Sequence, residues 1–249
     1  DAALERLGIP CVLKTATGGY DGKGQRVIRE KGQAAAAFED LGGGAVPLVL
    51  EQFIPFEREL SAIAARNPRG EIRVFPVAEN IHADNILHMS IVPARISDSI
   101  REEAQRLAAR LAEALDVVGL LAVEMFLAPG GKLYVNELAP RPHNSGHYTI
   151  EACAVSQFEQ HIRAICNLPL APTRLLAPVV MINVLGEHVE PLRQWMARCG
   201  REPEAGSAGD VGVHVHLYGK QEAKPKRKMG HVTLLGADFD AATEWMKRT

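Results

Sequence analysis

Two glutamates are placed where their carboxylates could hold a divalent cation together. Glu124 and Glu137 lie on either side of Pro129-Gly130-Gly131. β-branched and aliphatic residues flank this turn segment, which is typical of a β-hairpin. If the strands pair symmetrically about Gly130-Gly131, Pro129 faces Lys132 and Glu124 lies directly opposite Glu137. A four-residue loop with the same centre gives the same register, so the sequence predicts that the two carboxylates are cross-strand neighbours.

The predicted pair of carboxylates suits magnesium. Side chains directly opposite each other in an antiparallel pair lie about 5 Å apart at Cβ, and like charges there are destabilising unless they are neutralised. Magnesium binds one or two carboxylates together with substrate phosphates, and Asn136 would add an oxygen beside them. The alternative is two solvated glutamates on an exposed sheet face. The apolar neighbours of Glu124 favour the metal site, because an unpaired buried charge is costly.

A glycine-rich segment near the N-terminus has the composition of a phosphate-binding loop. Residues 17–25 contain four glycines, and Lys14 and Lys23 would supply positive charge. Glycine leaves the backbone free to wrap an anion with its N–H groups. The segment matches neither the P-loop pattern nor GxGxxG. A mobile turn is the alternative interpretation.

Two polar segments later in the chain could contact anions. Residues 140–147 include two prolines, which lower the entropy lost when a loop holds a ligand. Residues 220–228 form a basic run, which is either solvated surface or a site for the phosphate of a second substrate. His214 and His216 alternate onto one face of a predicted strand. No third ligand lies at a suitable spacing, so we expect hydrogen-bonded or exposed histidines there rather than a metal site.

Composition excludes several functional classes. The 249 residues are 47% hydrophobic and 23% charged, with a net charge of -2, which argues against general binding to nucleic acids or anionic membranes. The longest apolar runs are too short to span a bilayer, and no secretory signal pattern is present. Four widely spaced cysteines without a CxxC motif predict reduced thiols in a cytoplasmic protein. Because the sequence does not begin with methionine, we expect a fragment, a processed product or part of a longer protein.

The elements that must position these residues are predicted to be a mixture of helices and strands in two or three lobes. Apolar residues at helical spacing between 100 and 115 predict a helix that Ser99 and Glu102 would cap, and its apolar side should pack on the sheet that carries the hairpin. Further helices are predicted at 2–7, 33–41, 158–165, 192–198 and from 241 onward. Strands are predicted at 11–15, 26–29, 48–54, 58–66, 72–79, 86–92, 179–185, 211–218 and 231–235.

Four segments together carry a resemblance to a known family: KTATGGYDGKGQ, EQFIPFERELS, NELAPRPHNSGH and YGKQEAKPKRKMGH. They resemble the 5-(carboxyamino)imidazole ribonucleotide synthase family of ATP-grasp enzymes over essentially the whole chain, and the last two segments are the most specific. The resemblance implies an α+β protein with the ATP-grasp fold, in which two α+β lobes clasp ATP, and a small C-terminal α+β domain. The implied domains are the remainder of the small central lobe at 1–54, the large lobe with the metal site at 55–170, and the C-terminal domain at 171–249.

The activity implied by the resemblance is an ATP-dependent carboxylation in purine biosynthesis. ATP phosphorylates bicarbonate, and the resulting carboxyphosphate, or carbon dioxide released from it, carboxylates the exocyclic amine of aminoimidazole ribonucleotide. The expected cofactors and partners are therefore ATP, Mg²⁺, bicarbonate and the ribonucleotide, with no nucleic acid or membrane partner. A homodimer is also expected from the resemblance.

The resemblance also implies roles for individual residues, carried over position by position. The nucleotide would be bound by Lys14, by the phosphate-covering loop Gly19, Tyr20, Asp21, Gly22, Lys23, Gly24 and Gln25, by the adenine hinge Glu51, Gln52, Phe53 and Ile54, and by Glu59, His82, Asn136 and Glu137. Glu124 and Glu137 would bind magnesium, in agreement with the hairpin argument. Tyr20, Asp21, Arg141, His143 and Asn144 would surround carboxyphosphate and the imidazole, and Lys220, Arg227 and Lys228 would hold the ribonucleotide phosphate.

One departure from the family concerns the N-terminus. Family members begin with a nucleotide-fold domain of about a hundred residues, a size typical of one domain, and we expect this chain to lack it. Two alternatives stay open: another ATP-grasp carboxylate-amine ligase with a different second substrate, and a catalytically incompetent fragment that binds Mg-ATP.

Overall fold

The structure is a computed structural model that describes residues 2–18, 23–199 and 212–248. Its helices are α1 (Ala2–Leu7), α2 (Gln33–Asp40), α3 (Asp98–Ala114), α4 (Thr149–Ala152), α5 (Gln157–Ile165), α6 (Val189–Cys199) and α7 (Phe239–Arg248). Its strands are β1 (Cys11–Thr15), β2 (Gln25–Ile28), β3 (Leu48–Gln52), β4 (Arg58–Arg66), β5 (Ile72–Val74), β6 (Ala78–Ala83), β7 (Ile86–Val92), β8 (Gly119–Ala128), β9 (Lys132–Ala139), β10 (Val179–Leu185), β11 (Gly212–Leu217) and β12 (Lys228–Leu235). The α+β class expected from the sequence is confirmed.

The chain divides into two compact units, Asp1–Phe56 with Ala83–Ile86, and Glu57–His82 with Leu87–Thr249. In the first unit, the strands lie in the order β2-β1-β3 and β1 pairs antiparallel with both neighbours. A small core of Cys11, Ile28 and Ala37 joins this sheet to α2. The backbone N–H of Thr15 donates to the carbonyl of Gly24 (2.8 Å), next to the paired residues Lys14 and Gln25 of β1 and β2.

The second unit is built on a long sheet in the order β11-β12-β10-β7-β6-β4-β8-β9, with β5 paired to β4. Apolar side chains of β4 and β8 are buried on both faces of this sheet. One face packs against the alanine-rich side of α3, where Ala104, Ala108 and Ala112 are fully buried. The other face packs against the segment from Tyr148 to Ala164. Since both faces are covered, a polar side chain on β8 must find a partner within the protein.

The C-terminal strands extend the same sheet. β10 pairs antiparallel with β7 on one side and with β12 on the other, and β11 continues the order beyond β12. Their outer face packs against α6 and α7 through a third apolar cluster that includes Leu192 and Ala242. Sheet pairing therefore runs across residue 170, the predicted end of the large lobe. The domain boundaries at 54 and 170 remain a prediction.

Several predicted elements begin or end up to three residues from the observed bounds; the strand predicted at 48–54, for example, ends at Gln52. Two further differences concern a strand and a helix cap. The strand expected at 72–79 is divided into β5 and β6, because Pro76 between them has no N–H to contribute to a ladder. The helix α3 is capped by Ser97, whose side chain accepts from the backbone N–H of Ile100 (3.4 Å), and not by Ser99. Ser99 is already helical, and its hydroxyl lies 3.0 Å from that of Ser97.

One predicted strand begins outside the described residues, and the helix α5 buries polar rather than apolar side chains. Val211, the predicted start of the strand at 211–218, lies outside the described residues, and β11 is described from Gly212. Phe158, Ile162 and Ile165, whose spacing predicted α5, are 42%, 53% and 46% exposed. The residues that α5 buries include Gln157 and Gln160. The spacing thus identified the helix but not its buried side.

A buried carboxylate with two arginines joins β4, β6 and the start of α3. The side chain of Glu79 is 5% exposed and accepts from Nη1 of Arg58 (2.6 Å) and from Nη2 and Nε of Arg95 (2.6 and 3.0 Å). Burial on its own would raise the pKa of Glu79, but the hydrogen bonds and charge of Arg95, with the hydrogen bond of Arg58, lower it overall. Arg95 also lies over the ring of Phe239 in α7, with Cζ 4.6 Å from the ring centroid.

We expect Glu79→Gln to lower the free energy of unfolding by about 2 kcal/mol, because it removes the charge that both arginines pair with while leaving a polar group buried. Urea unfolding at neutral pH measures this. Glu102→Gln is the matched control: Glu102 pairs with Arg106 at 3.7 Å on the exposed surface of α3, where an ion pair contributes less than about 1 kcal/mol. Equal effects of the two substitutions would contradict the assigned role of Glu79.

Candidate active site

The hairpin β8/β9 places Glu124 directly opposite Glu137, as predicted, but its loop length and register differ from the predicted ones. The connecting loop has three residues, Pro129–Gly131, with φ near +80° at both glycines, and Ala128 rather than Pro129 faces Lys132. The predicted turn register was therefore wrong by one residue. A β-bulge restores the pairing, because Met125 faces Val135 and Glu124 faces Glu137, so that Asn136 has no partner on β8.

Glu124 is held by a histidine from the polar loop that follows the hairpin. Nε2 of His143 lies 3.0 Å from Oε1 of Glu124, and the two side chains are 11% and 20% exposed. Burial on its own would raise the pKa of Glu124. The hydrogen bond and charge of His143, followed by the charges of His82 and Lys228, outweigh burial and lower this pKa overall. Glu124 is therefore an anion at neutral pH.

The loop that carries His143 is fixed from below by one buried glutamine. Gln157, at the start of α5, accepts from the backbone N–H of His143 (2.9 Å) and donates to its carbonyl (2.8 Å). Its amide nitrogen also lies 3.0 Å from Nδ1 of His147. Gly146 passes so close that a Cβ there would lie 2.7 Å from Oε1 of Gln157. The backbone of this loop is therefore set by packing, which fixes the approach of His143 to Glu124.

The other predicted residues of this loop have less defined surroundings. Arg141 is exposed, and its Nη1 donates to the carbonyl of Pro142 (3.3 Å). Nδ2 of Asn144 is buried without a hydrogen-bond partner among the described residues, so it has a donor available for a ligand. Their predicted contacts with carboxyphosphate and the imidazole remain predictions.

Of the basic segment near the C-terminus, Lys228 is the residue that acts on Glu124. Lys228, at the start of β12, acts electrostatically on both Glu124 and His147. Nζ of Lys220 donates to the carbonyl of Lys228 (2.5 Å), and Nη1 of Arg227 donates to the carbonyl of Glu222 (3.1 Å). The structure thus brings Lys220 and Lys228 together, with Lys228 next to the glutamate site.

In the second unit, Glu59 and His82 also lie together. Nδ1 of His82 lies 3.1 Å from Oε2 of Glu59, and Glu59 is paired with Asn80 across β4 and β6. The charge of His82 also contributes to the lowered pKa of Glu124. These two predicted nucleotide contacts are therefore near the predicted metal ligand.

In the first unit, the predicted nucleotide contacts lie on β1 and β3 and beside them. Nζ of Lys14 lies 2.6 Å from Oε2 of Glu51. Gln52 ends β3 and is exposed, while Phe53 and Ile54 are half-buried. Arg29 lies over the ring of Phe53, with Cζ 5.4 Å from its centroid. In the glycine-rich segment, Lys23 is exposed, while Gly24 and Gln25 are half-buried. Gly19, Tyr20, Asp21 and Gly22 lie outside the described residues.

Sequence reasoning missed a stack of histidines between the polar loop and the C-terminal strands. The ring of His231 lies between those of His147 and His216, at centroid distances of 4.8 and 4.4 Å. Nε2 of His216 lies 2.6 Å from Oε1 of Glu151, and the hydroxyl of Tyr218 lies 2.9 Å from Nδ1 of His231. The hydrogen bond of His216 confirms the expectation that this histidine is a hydrogen-bonded one. Its alternation with His214 was the available signal, but the pairing of β11 with β12 was needed to find His231.

The donor set at the hairpin fits a magnesium ion bound together with a substrate. Glu124 and Glu137 are cross-strand neighbours, Glu137 is exposed, and Asn136 is released from the ladder beside them. Within the described ranges, no three His, Cys, Asp or Glu side chains are grouped so as to hold a metal by themselves. The remaining ligands would therefore be phosphate oxygens and water, which is the usual coordination of magnesium.

We expect the histidine stack to make the protein less stable in mild acid. Burial, followed by the neighbouring imidazoles, lowers the pKa of His147 to about 4 and that of His231 to about 3, against about 6.5 in an unfolded chain. Because the unfolded state binds these protons first, the contribution of the stack is fully present above about pH 6.5 and is lost as the pH falls toward 3 to 4.

Urea unfolding at pH 7.5 and pH 5 measures this effect. The wild-type chain should lose about 2 kcal/mol between the two values from each of these two histidines, and His231→Gln should reduce the difference by about half. His214→Gln, on the exposed side of β11, is the control and should leave the difference unchanged. A His231→Gln variant with the full wild-type pH dependence would contradict the explanation.

Comparison with known proteins agrees with this geometry. A profile of the ATP-grasp domain matches residues 1–158, and one of the phosphoribosylaminoimidazole carboxylase C-terminal domain matches residues 179–244. The chain is 49% identical to N5-carboxyaminoimidazole ribonucleotide synthase of Bacillus subtilis, over 99% of this chain and 63% of the relative. It is 45% identical to the Brucella melitensis protein of that name, over 93% and 61%.

Solved structures give the same result. An ADP complex of an N5-carboxyaminoimidazole ribonucleotide synthetase has a TM-score of 0.88 with 53% identity, covering 99% of this chain and 62% of that one. The Aspergillus clavatus synthase in complex with ADP and 5-aminoimidazole ribonucleotide has a TM-score of 0.83 with 34% identity, covering 99% and 63%. This chain thus spans less than two thirds of the length of these relatives.

The ATP-grasp profile covers more than half of the sequence, and the similar structures superpose on nearly all of it. The fold that the sequence segments implied is therefore confirmed. This chain belongs to the ATP-grasp family.

Proposed function

We propose that this chain carries the catalytic part of an ATP-dependent ligase, which carboxylates 5-aminoimidazole ribonucleotide with bicarbonate by way of carboxyphosphate in purine biosynthesis. The observation that supports this most directly is the pairing of Glu124 with Glu137 beside Lys228. A cation site next to a basic residue suits a reaction in which phosphoryl and carboxyl groups, both anionic, are handled together. The names of the similar proteins point to the same reaction.

The glutamates and their neighbours have distinct roles in this proposal. Glu124 and Glu137 hold Mg²⁺, with Asn136 beside the phosphates, and His143 orients Glu124 through its 3.0 Å contact. When bound, magnesium offsets the charge that develops between the phosphates during transfer. Glu59 and His82, in contact with each other, bind the nucleotide.

Arg141 and Asn144 provide donors for the carboxyphosphate and the imidazole. The guanidinium of Arg141 is exposed and contacts the carbonyl of Pro142, so it can turn toward an anion with several oxygens. Tyr20, Asp21 and His143 complete this set in the proposal. Lys220, Arg227 and Lys228 bind the phosphate of the ribonucleotide.

The residues of the first unit serve the nucleotide. Lys14 and the loop Gly19, Tyr20, Asp21, Gly22, Lys23, Gly24 and Gln25 bind the phosphates, and Glu51, Gln52, Phe53 and Ile54 bind the adenine. Lys14 is paired with Glu51 at 2.6 Å, which keeps an otherwise mobile ammonium group near its expected place. Its charge remains available to a phosphate, because the pair is partly exposed.

The wider context is also part of the proposal. Among the residues that the structure describes, no helix is long and apolar enough to cross a membrane. We assign the protein to the cytoplasm, as a homodimer that acts on small molecules, in line with its resemblance to purine-biosynthesis enzymes. A different ATP-grasp carboxylate-amine ligase is the second candidate. A fragment that binds Mg-ATP without turnover is the third, because the chain covers 63% of its Bacillus subtilis relative.

We expect the chain to release phosphate from ATP when bicarbonate is present, with stimulation by 5-aminoimidazole ribonucleotide. Glu137→Gln should lower this turnover by about 100-fold, because it removes one of two proposed magnesium ligands, while thermal unfolding stays unchanged since Glu137 is exposed. Glu103→Gln on the exposed side of α3 is the control. Mg-ADP binding without any turnover would favour the incompetent fragment.

Arg227→Ala tests the identity of the second substrate. We expect it to raise the KM for 5-aminoimidazole ribonucleotide by about 10-fold or more, since it removes a charged contact to phosphate, and to change the KM for ATP by less than about 2-fold. Lys224→Ala removes a charge from the same exposed segment, where Lys224 pairs with Glu222, and should change neither value. Equal losses for both substrates in Arg227→Ala would sink the assignment.

A further inference from the structure

A chain of hydrogen bonds leads from two buried serines to the proposed magnesium ligand. The hydroxyl of Ser61 donates to that of Ser145 (2.8 Å), and the hydroxyl of Ser145 lies 2.9 Å from Nδ1 of His143. Nε2 of His143 lies 3.0 Å from Oε1 of Glu124. Ser61 and Ser145 are 2% and 0% exposed, so neither hydroxyl can be satisfied by bulk water.

We propose that Ser61 and Ser145 are positioning residues, which fix the tautomer of His143 and thereby the orientation of the Glu124 carboxylate. This inference rests on the proposed function for its catalytic meaning, because Glu124 is there a magnesium ligand. Neither serine contacts the reacting groups directly.

The directions of the hydrogen bonds determine the tautomer. The backbone N–H of Ser145 points at Nδ1 of His143 (3.4 Å), and an N–H group can only donate. Because Ser61 donates to the Ser145 oxygen, the Ser145 hydroxyl can donate its own hydrogen bond to Nδ1 as well. Nδ1 is therefore the acceptor, and the ring proton is on Nε2, where it is donated to Glu124.

Ser61 begins this series of hydrogen bonds and Glu124 ends it, yet the two residues are neighbours in the sheet. Ser61 on β4 is the register partner of Glu124 on β8, and Glu137 on β9 is the partner of Glu124 on its other side. The three side chains thus form a row across three strands. Ser61 nevertheless donates to Ser145 and not to its neighbour Glu124. Oε1 of Glu124 instead accepts a hydrogen bond from Nε2 of His143.

This arrangement engages one oxygen of the Glu124 carboxylate and leaves the other available to a ligand. Oε1 of Glu124 is engaged by His143, so the carboxylate would offer its other oxygen to a cation that Glu124 and Glu137 would hold. The opposite tautomer would present an unprotonated Nε2 to Glu124, and the resulting repulsion of lone pairs would turn the carboxylate or the ring. Residues that orient a metal ligand in this way commonly alter metal affinity or activity by about 10-fold to 100-fold when they are replaced.

The tautomer can be measured without any assay of function. In the chain with ¹⁵N-labelled histidine at pH 8, His143, assigned by its loss in His143→Gln, should show a protonated Nε2 and an unprotonated Nδ1. Ser145→Ala removes the hydroxyl at 2.9 Å from Nδ1 and leaves only the longer backbone contact of 3.4 Å, so it should produce a mixture of tautomers. A protonated Nδ1 in the wild-type chain would overturn the proposal.

Magnesium-dependent ADP binding, measured by calorimetry, tests the effect on Glu124. Ser145→Ala should raise the Mg²⁺ concentration needed for half-maximal binding by about 10-fold, and Ser61→Ala by less, since it lies one bond further away. Ser90→Ala is the matched control: Ser90 is also fully buried in the sheet and donates to Asn80 (2.8 Å), so it reports the cost of losing a buried hydroxyl. It should leave the Mg²⁺ requirement unchanged.

A second background separates positioning from general damage. Glutamine at 143 has no tautomers, because its amide nitrogen can only donate, to Glu124 as elsewhere. Ser145→Ala should therefore have no further effect on the Mg²⁺ requirement in His143→Gln. An equal loss in both backgrounds, or a loss equal to that of Ser90→Ala, would contradict the proposal. If the wild-type chain binds no Mg-ADP, the proposed function is wrong, and the tautomer measurement still decides whether the serines fix His143.

Discussion

The central constraint in this protein is a carboxylate that must stay ionised inside an apolar sheet. Glu124 lies on β8 between the buried residues Val123 and Met125, and an unpaired charge there would be costly. His143 and the more distant charges of His82 and Lys228 lower the pKa of Glu124 and so keep it deprotonated. These partners come from separate parts of the second unit, so the environment of one side chain depends on the correct packing of several elements.

The position of His143, which contacts Glu124, depends on the loop that carries it. That loop has no regular secondary structure before residue 144, and its position depends on the buried amide of Gln157 and on the tight approach at Gly146. Gln157 also contacts His147, which begins the histidine stack toward β12. The glutamate site and the C-terminal strands are therefore parts of one packed structure within this unit.

Much of this could be predicted from local sequence. Strands such as β1, β4, β7 and β10 follow from short apolar runs between turn residues. The turn also identifies the hairpin that carries Glu124 and Glu137, but their direct pairing depends on the bulge at Asn136, which the sequence did not indicate. What could not be predicted depends on tertiary contacts. The buried side of α5 carries glutamines, because their amides satisfy a loop distant in sequence, and no periodicity of apolar residues reveals this. The ion pairs of Glu79 and the stacking of His231 likewise require the sheet order.

The bulge at Asn136 has a consequence for recognising this site in other sequences. With the three-residue loop, Glu124 and Glu137 face each other only because one residue is left out of the ladder. A hairpin with the same loop and no bulge would pair glutamates twelve positions apart, whereas this one pairs them at thirteen. A search pattern with a fixed interval would therefore miss hairpins of equivalent geometry. A pattern that allows either interval and requires a histidine six residues after the second glutamate would identify the paired carboxylates and their histidine partner together.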